Sequence, residues 1–205
     1  MTFDHPDDEL KVCVMAALSS YRRMHQERPD PDVQWPAILT MISPGEHGAT
    51  DHTILPMLFV PGEDQAKIQF KRAAAMMMML NAYAYTLCIE TWAVRARPSE
   101  LQNIEIAEHP DAFEQLMCIG GTKDGQTMTV AARIIRATDG RFTGTNEPQV
   151  ATRIEMLGLG LGQLFQWEWF EPDMLAEVGS WLDENRHEIP DRAGAIMAPT
   201  STKLH

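Results

Sequence analysis

The segment Glu46-His47-Gly48-Ala49-Thr50-Asp51-His52 places two imidazoles and two carboxylates within seven residues. Neutral imidazole and carboxylate are usual ligands of zinc and iron, so His47, Asp51 and His52 form a candidate site for zinc or another divalent metal. Such a site would carry metal-dependent hydrolysis. A polar loop on the surface accounts for the same composition without any metal. Glu90 is a candidate of a different kind, because it stands in an apolar run two residues from Trp92. An ionised carboxylate there costs several kcal/mol unless it is paired. Unpaired, it has a raised pKa and can act as a general acid or base. Paired with an arginine on a neighbouring strand, such as Arg133, it is a structural ion pair. Glu108-His109-Pro110-Asp111 also has the residue types for acid–base work, which makes His109 a further catalytic candidate. Equally, it is a loop leading into a strand.

Other catalytic templates are missing. No serine sits in a G-x-S-x-G elbow and no cysteine lies in an electropositive segment, so nucleophilic catalysis has no support. The glycines at 120–125 lack P-loop spacing, and Gly158-Leu159-Gly160-Leu161-Gly162 misses the dinucleotide fingerprint. Trp167, Trp169 and Phe170 point to binding instead. Three large aromatics in four positions, split by Glu168, cannot all face one core, and aromatics anchor interfaces. Met76 to Met79 suit an adaptable groove, though helical spacing assigns at least half of them to the core.

The elements that must position these residues follow from periodicity. Leu10, Val14, Leu18 and Tyr21 recur at helical spacing and predict an amphipathic helix over 7–27, broken by the prolines that follow. Residues 37–42 and 53–60 read as strands around a turn, with Pro56 marking the second as an edge or a bulge. A helical pattern returns over 64–80. Residues 83–97 then predict a long strand, with Tyr83, Tyr85, Leu87 and Ile89 on one face and Cys88, Glu90 and Trp92 on the other. A loop over 98–110 leads to a strand over 113–121 and a tight turn at Asp124-Gly125. Met128, Val130, Ala132 and Ile134 alternate inward along the next strand, and a second turn at Asp139-Gly140 leads to a short strand over 142–145. A last helix is expected over 172–187. The sum is α+β: an antiparallel β-meander of about four to six strands packed against amphipathic helices. A single domain over 1–188 is expected, with a mobile tail over 189–205.

The chain has 205 residues and a formal charge of −12, which disfavours direct binding to nucleic acid or to an anionic membrane surface. An acidic surface that mimics nucleic acid for a basic partner is a further possibility. The uncharged run 73–89 approaches the length of a membrane span, but its alanines, Asn81, Thr86 and the adjoining Glu90 argue for a core element. Cys13, Cys88 and Cys118 form an odd set without CxxC spacing, and the acidic start lacks a secretory pattern. Both indicate a reduced, cytoplasmic chain.

Glu90-x-Trp92, Glu108-His109-Pro110-Asp111 and two strands joined at Asp124-Gly125 and closed by Asp139-Gly140 resemble uncharacterised proteins found in phages and prophages. The resemblance covers residues 73–145 at most. It implies an accessory role in a phage or mobile element and transfers no catalytic residue. The expectation is therefore a non-enzymatic interaction module without a cofactor. It self-associates as a homo-oligomer and binds a protein or small ligand. A metal-dependent hydrolase is the alternative.

Overall fold

The computed structural model describes residues 6–30, 33, 35–45, 49–57, 63–94, 106–150, 173, 175–176 and 178–180. The helices are α1 (Pro6–Glu27) and α2 (Glu63–Met79). The strands are β1 (Ala37–Pro44), β2 (Thr50–Met57), β3 (Ala84–Ala93), β4 (Phe113–Thr122), β5 (Thr127–Arg136), β6 (Phe142–Thr145) and β7 (Gln149–Val150). The strands form one sheet in the order β2-β1-β3-β4-β5-β6, with β7 also pairing β5. The class is α+β with an antiparallel sheet, and β3 to β6 run as the consecutive meander expected from the turns. Gly125 and Gly140 hold those turns at φ of 93° and 83°, a region that only glycine enters freely.

The chain divides into two compact units. One comprises Met1–Ala37, Leu87–Gly120 and Thr127–Ile154; the other comprises Ile38–Thr86, Gly121–Gln126 and Glu155–His205. In the first, α1 lies on β5 and β6. Its stripe of Leu10, Val14, Leu18 and Tyr21 is buried, as the periodicity requires. The helix ends where Arg28 N–H donates to Met24 O, because Pro29 has no N–H to continue it. Two bonds then fix the chain beyond: Phe142 N–H donates to Pro29 O, and the Tyr21 hydroxyl donates to Pro36 O at 3.0 Å.

On the outer side of β5, β6 pairs Ile134 with Thr145 and Ile135 with Gly144, and an irregularity follows before Arg136. β7 pairs Val130 with Val150. Asn146 joins the two short strands by donating its N–H to Arg133 O, while its side-chain Oδ1 accepts the Arg133 N–H at 2.6 Å.

In the second unit, β2 lies at the end of the strand order, the position in a sheet where a proline such as Pro56 is tolerated. The uncharged run 73–89 is divided between the end of α2 and β3. Asn81, at φ 49°, stops the helix, and Ala82 N–H and Asn81 N–H donate back to Met77 O and Met78 O. This is a Schellman closure with asparagine in the left-handed position. No helix among the described residues is long and apolar enough to cross a membrane. Met76 and Met77 are buried, whereas Met79 is exposed. Of the last expected helix, residues 173, 175–176 and 178–180 are helical.

Gly121 has a packing role. A Cβ there would lie 2.6 Å from Cε1 of Tyr85, whose side chain is itself buried and cannot swing aside. Gly121→Ala is expected to lower stability by about 1–3 kcal/mol through overpacking. Urea unfolding monitored by circular dichroism measures it, and an unchanged midpoint would refute the close fit.

Candidate functional site

Glu90 lies on the face of β3 that it shares with Cys88, and the α1 side chains Tyr21 and His25 lie over this face. Its partner is Arg136 and not Arg133. The Arg136 Nη2 donates to Glu90 Oε1 at 2.6 Å. The reason is parity: Arg136 continues the inward series Val130, Ala132, Ile134, while Arg133 points outward, where its guanidinium covers the Phe113 ring at 4.9 Å. Arg136 Nε also donates to Glu114 Oε2 on β4, and Nη1 donates to the carbonyl of Gly140 at 3.2 Å. All three nitrogens of the guanidinium are thereby engaged, so the group ties β3, β4 and the β5–β6 turn together.

His25 completes the cluster. Its side chain is only 2% exposed, and Nε2 lies 3.9 Å from Glu90 Oε2, too far for a hydrogen bond. No described group accepts from or donates to that nitrogen. The ring is held instead by aromatic contacts to Tyr21, Trp35 and Phe142, at centroid distances of 5.0, 4.9 and 5.2 Å. Burial, reinforced by the positive charge of Arg136, lowers its pKa to about 4, so His25 is neutral at pH 7. Burial acts in the opposite sense on Glu90 and raises its pKa, with Glu114 adding to the rise and Arg136 opposing it. Burial also raises the Tyr21 pKa, and the phenol stays protonated.

The remaining sequence candidates are placed as follows. Asp51 and His52 are exposed neighbours on β2, and successive strand residues project to opposite faces. The Asp51 carboxylate lies against Gly45, where a Cβ would approach Oδ1 to 2.6 Å. His47 is outside the described residues. No group of three or more His, Cys, Asp or Glu that could hold a metal occurs among the described residues. His109 sits in the turn before β4, where its Nδ1 accepts the Asp111 N–H at 3.1 Å. No described hydrogen bond or ion pair joins it to Glu90. Trp167, Trp169 and Phe170 lie outside the described residues.

Sequence reading found Glu90 but not its partners. Two signals pointed to them: Arg136 extends the alternation of β5 by one step beyond Ile134, and His25 follows Tyr21 by four on the buried stripe of α1. No protein-family model matches the chain, and no curated protein or solved structure matches it significantly.

Proposed function

We propose that this protein is a non-enzymatic interaction module of the cytoplasm that self-associates and binds a protein partner, in an accessory role for a phage or mobile element. The observation that carries the reading is Trp92, which is 44% exposed near the end of β3. A large aromatic left in water at a strand end is the residue type that anchors interfaces. Ile106 and Ile135, in the same unit, are likewise exposed. The pairing of Arg136 with both Glu90 and Glu114 supports the non-enzymatic part, because among the described residues these charges are used in joining strands. The resemblance of residues 73–145 to phage and prophage proteins supports the context.

Native mass spectrometry of the full chain over a concentration series tests this reading. A concentration-dependent oligomer is expected, and Trp92→Ser is expected to weaken its dissociation constant by about tenfold or more, as loss of an interface anchor does. The variant replaces an exposed side chain, so its thermal midpoint should stay near that of the parent. A protein that is monomeric throughout, or a variant that associates equally well, overturns the reading.

A further inference from the structure

Cys88 on β3 and Cys118 on β4 are both buried free thiols, and each lies at the middle of a ten-residue strand. Their pairing follows from the register. Lys123 N–H donates to Tyr83 O at 2.8 Å, and Gly121 faces the Tyr85 ring. Both contacts fit an antiparallel ladder in which 83 opposes 123 and 85 opposes 121, so three further steps bring 88 opposite 118. The two thiols indeed lie close enough to share a hydrogen bond. Backbone direction then decides the type of pair. Lys123 N–H bonds to Tyr83 O, so continuation of the antiparallel ladder assigns the cross-strand bonds to 83, 85 and 87 and leaves Cys88 and Cys118 as a pair without mutual backbone hydrogen bonds. In such pairs the Cα atoms are only about 4.5 Å apart and the side chains are closest. That value lies at the short end of the roughly 4.4–6.8 Å that a disulfide spans.

We infer that Cys88 and Cys118 are a reversible oxidation site, which closes to a cross-strand disulfide when hydrogen peroxide is the oxidant. One thiol is oxidised by peroxide to a sulfenic acid with release of water. The second thiol displaces the hydroxyl, forming the S–S bond and a second water. Two electrons pass from the thiols to the peroxide O–O bond, and both thiol protons leave in water. A thiol reductant attacks the S–S bond and returns both thiols, so the oxidation is reversible. The hydrogen bond with Cys88, followed by burial, raises the Cys118 pKa and keeps its thiol protonated at neutral pH, so closure is slow and accelerates as the pH rises. Cys13, on α1 and half-buried, has no partner in this reaction and is the internal control.

The test treats the full chain with hydrogen peroxide, unfolds it, alkylates the remaining thiols and maps the peptides by mass. The expected result is a crosslinked peptide pair containing Cys88 and Cys118, lighter by two hydrogens, with alkylation falling from three cysteines to Cys13 alone. Dithiothreitol should restore all three. Cys118→Ser and, separately, Cys88→Ala should each abolish that crosslink. The peptide map of the parent chain decides the matter even if neither variant folds. Retention of alkylation at both Cys88 and Cys118 under peroxide that converts exposed methionines to sulfoxide would overturn the inference. So would crosslinks formed only through Cys13.

Discussion

Arg136→Met is expected to destabilise the protein by about 2–3 kcal/mol at pH 8. The substitution leaves Glu90 and Glu114 facing each other across β3 and β4 with their shared cation gone. Removing one partner of a fully buried ion pair costs about 3–5 kcal/mol. Here each of the three groups is about a quarter exposed, which admits water and reduces the penalty. The loss should shrink under acid. Burial already raises the Glu90 pKa, and without Arg136 the charge that opposes this rise is gone. The destabilisation through Glu90 is therefore full at high pH, begins to shrink as the pH falls through the raised folded pKa, and is gone below the unfolded value. Arg133→Met is the control, since among the described residues that guanidinium lies over an aromatic face on the outer side of the sheet, a contact of about 0.5–1 kcal/mol. Urea unfolding of the three proteins at pH 8 and pH 4 measures both effects. Equal losses for the two variants, or a loss for Arg136→Met that does not shrink at pH 4, would refute the shared-cation network.

The contrast between Arg133 and Arg136 also marks where sequence stops being legible. Helix α1, the strands of the meander and both glycine turns follow from local periodicity and positive φ, which depend on residues close together in the chain. Pro56 alone narrows its strand to an edge or a bulge, and the strand order places β2 at the edge. A partner for Glu90 depends instead on register across two ladders and on an irregularity between Ile135 and Arg136, and neither is a local property. Parity along β5 narrows the choice to an inward-facing cation. The nearest basic residue in the alternating segment was the outward one. His25 is hard to read for another reason: its place four after Tyr21 puts it on the buried stripe of α1, but composition does not distinguish a packed histidine from a functional one. Polar capping at Asn81 was hidden in an uncharged run, where only the backbone bonds to Met77 and Met78 reveal a helix terminus.

Acidification should unfold the protein through His25, and His25→Phe should remove much of that sensitivity. In the folded state the imidazole titrates near pH 4, whereas in the unfolded chain it titrates near its ordinary value of about 6.5. The unfolded state thus binds the proton first. Stability is full above about pH 6.5, declines as the pH falls through that value, and stops declining near pH 4 where the folded form is also protonated. The gap corresponds to about 3 kcal/mol in all, with about 2 kcal/mol already lost at pH 5. Glu90 opposes this from the same cluster. With its folded pKa raised, it takes up a proton more readily in the folded state and returns some stability at the acid end of the window. Phenylalanine at 25 keeps a ring against Tyr21, Trp35 and Phe142 and has no nitrogen to protonate. It also removes a buried Nε2 that no described group satisfies. The variant should accordingly match the parent near pH 7.5 and exceed it at pH 5. If the unfolding free energies of the two proteins run parallel from pH 7.5 to 4.5, His25 is not the group that couples this fold to acid.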